Sequence, residues 1–404
     1  MQRIQITHHI NVPDPVKVAR YRTAPHLGPR VLFFSGGTAL KTLSQELINY
    51  THNSIHIITP FDSGGSSAEI RKNFSMLGVG DIRNRLMALA DRSLKGNPQI
   101  FDLFAYRFPK DAEPADLRER LRKLIEGKDP LVTRIHDPMR KLIRSHLRFF
   151  SERMPDNFEL RGASIGNLIL TGGYFNYSRH IDPVIYLFSK LVEARGAVRP
   201  VINMDLNLAA ELADGSVIPG QHNITGKEAA PLASPIKRLF LTRERDPRED
   251  GLPPEEVEPP MVRRKVSDLI KTAEIICYPM GSFYSSLIAN LLPRGVGTAI
   301  AEAQCPKVYV PNLGNDPEML GMGLFDAVRT LLFYLEKSCS QSIARDRLLN
   351  FVLIDTKRGK YPTPLHLEKI RRFGVEVLDV ELVTEQSAPY LDPNKVIEHV
   401  LSLV

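Results

Sequence analysis

Residues 31–59 read VLFFSGGTALKTLSQELINYTHNSIHIIT. The apolar run 31–34 stops at Ser35-Gly36-Gly37-Thr38, and the residues after it place Leu40, Leu43 and Leu47 on one face of an amphipathic helix. Residues 54–59 then supply Ile55, Ile57 and Ile58 as a second strand. A strand, a glycine turn, a helix and a strand in this order form a βαβ unit, which implies a parallel sheet covered on both faces. Further strands are expected at 200–204, 238–242, 275–278, 307–310 and 351–354, with helices at 182–196 and 317–337. The pattern predicts an α/β fold: a Rossmann-like, doubly wound, mainly parallel sheet in a three-layer αβα sandwich. One domain is expected over residues 1–404, with a helical insertion at about 93–155 that is rich in Arg, Lys and Leu. Residues 243–264, dense in Pro and mixed charge, read as a surface loop or lid. Asp392 and Pro393 read as the start of a closing helix.

Composition bounds the function classes. The chain has 404 residues, 43% of them hydrophobic and 25% charged, which is ordinary for a globular protein with a sizeable core. Lys and Arg exceed Asp and Glu by 53 to 46, a net charge of +7 that favours anionic partners such as phosphates. Three scattered cysteines, Cys277, Cys305 and Cys339, argue against a disulfide scaffold or a zinc site. No stretch approaches the ~20 apolar residues of a membrane span, and the first residues carry no apolar signal core. A cytoplasmic protein that does not bind membranes is the expectation.

Four loops carry candidate chemistry. Gly36, Gly37 and Thr38 lie between a buried strand and a helix, where a backbone can approach a phosphate closely and a helix start offers N–H groups. Lys41, one turn later, can add a charge. Pro60-Phe61-Asp62-Ser63-Gly64-Gly65-Ser66-Ser67 leaves the next strand at the edge where open α/β sheets place ligands. Its glycines and hydroxyls read as an anion nest, and a carboxylate among phosphate-binding groups fits a Mg²⁺ ion held between Asp62 and phosphate. The plainer reading makes Asp62 a turn residue and the serines helix caps. In the third loop, Asp81 sits in the first turn of a helix, as a cap or as a ligand-facing group. Arg83 can clamp phosphate and Asn84 can read a base or sugar, whereas Arg71 and Lys72 are read as solvated. Residues 278–286 (YPMGSFYSS) repeat the pattern of strand exit, small residues, hydroxyls and a following helix.

These segments resemble the CofD/YvcK family. The resemblance rests on SGGTAL at 35–40, TPFDSGGSS at 59–67 and GVGDIRNRLMALAD at 78–91. It continues through SIGNLIL at 164–170, LADGSVIPGQHNIT at 212–225, MGSFYSSLIANLL at 280–292, and residues 311–318. The motifs occur in family order across most of the chain. Beside Asp62 the pattern departs: YvcK-like proteins carry a second Asp there, and this chain has Phe61 on one side and Ser63 on the other.

The family has two branches. One is a Mg²⁺-dependent 2-phospho-L-lactate transferase that moves a phospholactyl-type group from a guanosine diphosphate-linked donor to a deazaflavin alcohol. The other binds UDP-sugars and acts in carbon metabolism and cell-shape control. The resemblance therefore implies a nucleotide-linked phosphate ligand and commonly a homodimer. It also implies phosphate contacts at Gly36, Gly37 and Thr38, and a metal-holding, catalytic role for Asp62. Ser63, Gly64, Gly65, Ser66, Ser67, Asp81, Arg83, Asn84 and Asn167 would line the pocket, with Gly281, Ser282, Tyr284 and Ser285 on the nucleotide side.

Two functions remain open at this stage: a Mg²⁺-dependent transferase of a phosphate-linked group, and a nucleotide-sugar-binding regulator without turnover. Nucleic-acid binding through the Arg-rich helices is disfavoured. Arg118, Arg120, Arg122 and Lys123 alternate with Leu117, Leu121 and Leu124, the pattern of a helix with a solvated face. His8 and His9 read as surface residues, and His52 and His56 straddle a helix–strand junction instead of sharing a helix face.

Overall fold

Residues Val31–Ser35 are buried from end to end, as a strand covered by helices on both faces must be. This strand sits inside the main sheet of the computed structural model, which describes residues 9–93, 96–226, 231–247, 251–314 and 316–404. Among these residues the strands run, in chain order, as follows: β1 Val31–Ser35, β2 Ile55–Ile58, β3 Ala197–Pro200, β4 Asn207–Leu212, β5 Val217–Pro219, β6 Ile236–Thr242, β7 Glu256–Val257, β8 Ile275–Tyr278, β9 Lys307–Tyr309, β10 Phe351–Ile354 and β11 Glu376–Asp379. Seven of them form a parallel sheet in the order β11-β10-β9-β8-β1-β2-β3. Register is set early, with Phe34 opposite Ile57 and Leu32 opposite Ile276. The α/β class and the parallel sheet are as the sequence indicates.

The topology has one feature that matters for function. From β1 the chain moves outward through β2 to β3, then returns to the other side of β1 as β8 and moves away through β9, β10 and β11. The order reverses between β1 and β8. In open α/β sheets, the crevice beyond the strand ends at such a point is where ligands bind.

Several expectations shift. The strand expected at 200–204 lies at Ala197–Pro200, and residues after it turn away from the sheet. The strand expected at 238–242 belongs to a separate antiparallel sheet, ordered β5-β4-β6-β7. That sheet packs on the helix Leu324–Lys337, whose Tyr334 hydroxyl accepts the Leu239 N–H at 2.7 Å. Charge and proline at 243–264 do not keep the segment wholly irregular, since Glu256–Val257 pairs with β6; residues 248–250 lie outside the described ones.

Between residues 93 and 155 lie the helices Pro98–Ala105, Pro114–Glu126, Pro130–Thr133 and Met139–Ser151. Leu117, Leu121, Ile143 and Leu147 join Ile58 and Val198 of the sheet in one buried cluster, so these helices close one face. The other face is covered partly by the C-terminal helix Pro393–Ser402, whose first turn Asp392 caps through the N–H groups of Asn394 and Lys395. His56 is fully buried, stacked on Phe33 at 5.3 Å. His9 is exposed, and His8 lies outside the described residues.

Candidate functional site

The loops after β1, β2 and β8 converge on a cleft of about 910 Å³ at the reversal point. Gly36, Gly37, Thr38, Asp62, Ser63, Gly64, Gly65, Ser66, Ser67, Asp81, Asn84, Asn167, Gly281 and Ser282 all line it. Arg83, Tyr284 and Ser285 do not, nor does Lys41, which is exposed.

The first loop is shaped from below. Arg85 is fully buried, and its guanidinium donates to the carbonyls of Gly36 at 2.9 Å, Gly37 at 3.4 Å and Leu40 at 2.9 Å. In a trans peptide the C=O and the following N–H point opposite ways. Drawing the Gly36 and Gly37 carbonyls toward Arg85 therefore turns the Gly37 and Thr38 amides away from it. Glycine is required here for closeness: a Cβ on Gly37 would stand 2.2 Å from Asp81 Oδ1, and one on Gly36 would stand 2.4 Å from Ser286 Oγ. The helix expected to begin at the loop starts only at Lys41 and is seven residues long, so the loop's own amides are its anion-binding resource.

Two carboxylates line the cleft here. Asp81, in the first turn of the helix Gly80–Ala88, accepts from Thr59 Oγ1 at 3.3 Å and lies against Gly36 and Gly37. Asp62 accepts from the Gly64 N–H at 3.2 Å, and its Oδ2 lies so close to Gly80 that a Cβ there would be 2.0 Å away. Asp62 and Asp81 thus flank the same glycine. Asp81, which sequence reading weighed as a helix cap, supplies a second carboxylate where Ser63 has none to offer.

Arg71 corrects the expectation of a solvated side chain. It is 1% exposed and donates to the carbonyls of Met76, Phe61 and Leu206 and to Asp205 Oδ1 at 3.0 Å. Its helix, Gly65–Phe74, buries Ser67, Ile70, Arg71 and Phe74. Those positions follow the i, i+3, i+4, i+7 spacing of a buried stripe, a signal present in the sequence.

Ser63 has an unforeseen partner in His222. The His222 N–H donates to Ser63 Oγ at 3.1 Å, and Nδ1 lies 2.9 Å from the same oxygen. Both residues line the cleft. His222 follows the β4–β5 hairpin of the antiparallel sheet, which is why no reading of the parallel sheet alone could have brought it here.

The loop after β8 differs from expectation. Residues 283–287 form a π-helical turn and 288–291 a 3₁₀ turn, in place of a regular helix. The N–H groups of Tyr284 and Ser285 both donate to Glu318 Oε2 at 2.8 Å, and the Phe283 N–H donates to Asp316 Oδ2 at 2.8 Å. These carboxylates occupy the amides that would otherwise face an anion, which explains why Tyr284 and Ser285 stand outside the cleft. Burial, with Asp316 nearby, pushes the Glu318 carboxyl up to about 7.

Arg83 lies below the cleft floor. It donates to the Phe104 carbonyl at 3.4 Å and to Asn84 Oδ1 at 2.5 Å, and burial, with Arg107 second, lowers it to about 10. It can hold Asn84 in place but does not reach the cleft. Asn167 donates to Ser66 Oγ at 3.0 Å, tying the helix Ile165–Asn176 to the second loop. Lys72, read as solvated, is exposed at the cleft, and sequence reading missed the further basic cleft residues Arg107, Lys110, Arg161 and Arg245, the last paired with Asp205 at 3.1 Å.

Among the described residues no three His, Cys, Asp or Glu side chains gather as a metal centre, and no helix is long and apolar enough to cross a membrane.

Comparison with known proteins bears on the family and the fold. The family model described as "2-phospho-L-lactate transferase CofD" matches residues 31–383. The chain is 29% identical over 370 residues to the gluconeogenesis factor of Bacillus subtilis, covering 88% of this chain and 92% of that one. It is 27% identical over 370 residues to the gluconeogenesis factor of Halalkalibacterium halodurans, covering 88% and 90%. A crystal structure of a UPF0052-family protein from Bacillus halodurans has the same fold, with a TM-score of 0.65 at 23% identity, over 93% of this chain and 99% of that one. With the family model spanning the sheet, the glycine loops and the cleft, the chain belongs to the CofD family.

Proposed function

We propose that the cleft binds a nucleotide-linked phosphate and that the protein is a Mg²⁺-dependent transferase. It would move a phosphate-linked group from a nucleoside diphosphate-linked donor to a hydroxyl acceptor. The observation that carries this reading is that Asp62, against Gly80, and Asp81, against Gly36 and Gly37, line one cleft at the sheet's reversal point.

The donor set fits Mg²⁺, a hard ion usually held by one or two carboxylates together with phosphate and water. Asp62 and Asp81 would hold it, and when bound it would neutralise charge on the transferred phosphoryl group. The chain's own residues do the rest. The Gly37 and Thr38 amides, with the Gly65–Phe74 helix start and Ser66, receive phosphate oxygens. The acceptor oxygen forms a new P–O bond, the phosphoanhydride bond breaks, and the nucleoside monophosphate leaves with the bonding electrons. The acceptor's proton needs a destination, and His222 supplies one. In the tautomer whose Nδ1–H, like the backbone N–H, donates to Ser63 Oγ, Nε2 keeps a lone pair for that proton. The Ser63 hydroxyl hydrogen is then directed at the ligand.

A second reading, a nucleotide-sugar-binding regulator without turnover, is favoured by the loss of a paired carboxylate directly beside Asp62, where Phe61 and Ser63 stand. The relatives' names support it too, since "gluconeogenesis factor" denotes a role and not a reaction. Incubation with GDP- and UDP-linked donors in Mg²⁺, followed by anion-exchange chromatography, separates the two. Acceptor-dependent release of nucleoside monophosphate that stops in Asp62→Asn supports the transferase. Tight binding with no release under every acceptor tried supports the regulator.

A further inference from the structure

Ser63 and His222 come together from different sheets, and their contact has the form of a nucleophile with its base. Ser63 Oγ accepts the His222 backbone N–H at 3.1 Å and lies 2.9 Å from His222 Nδ1. Among the described cleft hydroxyls it is the one with an imidazole nitrogen within hydrogen-bond distance. The base is held in place. Its helical turn, Gln221–Ile224, is tied by the Asn223 side chain to the Pro219 carbonyl at 2.8 Å, and the Thr225 hydroxyl donates to the His222 carbonyl at 3.0 Å. Gly220 precedes the turn with φ of +85°, and a Cβ there would stand 3.0 Å from His222 Cε1, so glycine lets the ring lie against the backbone.

A neutral imidazole has two tautomers. With the proton on Nδ1, Ser63 accepts, as in the transfer to a bound alcohol. With the proton on Nε2, the same 2.9 Å contact runs from the Ser63 hydroxyl to the Nδ1 lone pair, which activates Oγ as a nucleophile. The phosphate site is next to it in the chain. Gly64 caps the ten-residue helix Gly65–Phe74, whose first amides and dipole attract anions, and Ser63 is the residue before that cap. Ser63 lines the cleft while only 8% exposed, so little water competes with it.

We propose that Ser63 is itself an acceptor in this cleft, taking the phosphate-linked group onto Oγ when no other alcohol is bound. This rests on the nucleotide reading above and goes beyond it by assigning a modification of the chain. The Ser63 Oγ–P bond forms and the phosphoanhydride bond breaks. The nucleoside monophosphate leaves with the bonding electrons, and the Ser63 proton passes to His222 Nδ1. The product is a serine phosphodiester bearing the donor's own group.

The test is intact-mass and peptide-fragmentation spectrometry after incubation with UDP-glucose or GDP-mannose in Mg²⁺, in buffer free of glycerol and other alcohols. Thermal unfolding with the same two donors reports binding in parallel. The expected result is a gain of one hexose phosphate, located on Ser63, with matching release of UMP or GMP. Ser63→Ala is expected to take no label, and His222→Gln to label at least about a hundredfold more slowly, the scale of general-base assistance; a thermal melt verifies that both are folded. A donor that stabilises the protein yet leaves its mass unchanged overturns the self-transfer while leaving nucleotide binding intact. So does label on another residue, or an undiminished rate in His222→Gln. If neither donor shifts the melt nor labels the chain, the nucleotide reading falls and this proposal with it.

Discussion

Arg71 spreads its guanidinium over the second loop and the exit from β3, satisfying the carbonyls of Phe61, Met76 and Leu206 while pairing with Asp205. Removing a buried charge partner that satisfies several acceptors typically costs about 3–5 kcal/mol, because the groups left behind stay desolvated. Arg71→Met is therefore expected to lose stability on that scale in urea unfolding, and to loosen the loop that carries Asp62. The substitution at Gly80 asks a different question. A Cβ would stand 2.0 Å from Asp62 Oδ2 and 2.5 Å from Ser67 Oγ, both side-chain atoms able to move. Gly80→Ala is expected to displace Asp62 and weaken metal-dependent ligand binding by at least about tenfold in calorimetry, roughly 1.4 kcal/mol, with the melting temperature far less affected than in Arg71→Met. At this scale the sequence was informative about residue types and less so about depth. The place of Gly36, Gly37 and Asp62 in the cleft was legible because they follow strands, at the edge where open α/β sheets form their crevices. Arg71 and Arg83 were misplaced because an arginine's side chain does not declare whether it faces water or carbonyls.

Helices Met139–Ser151 and Ile165–Asn176 approach so closely that a Cβ on Gly172 would fall 1.8 Å from the His146 carbonyl oxygen. Backbone on both sides leaves no flexible group to yield. Gly172→Ala is expected to destabilise by about 1–3 kcal/mol in thermal unfolding, although alanine is the better helix former by roughly 1 kcal/mol. A second element-scale expectation concerns the loop after β8. Glu318 has an ordinary value of 4.5 and is raised to about 7 in the folded protein, so the native state holds its proton more tightly than the unfolded state does. The sign follows: the stabilisation is complete below about 4.5 and is lost as pH rises through about 7. Compared with Glu318→Gln, the native protein should lose up to about 3 kcal/mol of relative stability across that window. Urea unfolding of both proteins at several pH values checks it; a pH-independent difference contradicts it. The β1–helix–β2 unit was legible because apolar spacing changes cleanly from strand to helix at the glycines. The antiparallel sheet was not, since β4 is alanine-rich, β5 is three residues long and β7 only two.

On the scale of the molecule, the parallel sheet puts three strand-exit loops at one edge, and the reversal between β1 and β8 opens the cleft between them. The order of strands could not be read from the sequence, because it depends on which side of β1 the chain returns to. Nor could the approach of His222 from the second sheet, or of Arg107 and Lys110 from the helical region, because each crosses a long sequence separation. Net charge signalled an anionic partner without locating it. The central claim is that this cleft holds a nucleotide-linked phosphate with a metal at Asp62. Its most direct test is thermal unfolding with GDP, UDP-glucose and UDP-GlcNAc, each with and without Mg²⁺, for the native protein and Asp62→Asn. Ligand at a hundred times its Kd should stabilise the native protein by about 2.7 kcal/mol, with Mg²⁺ required and the effect lost in Asp62→Asn. A melting temperature that no nucleotide moves, with or without Mg²⁺, would contradict it.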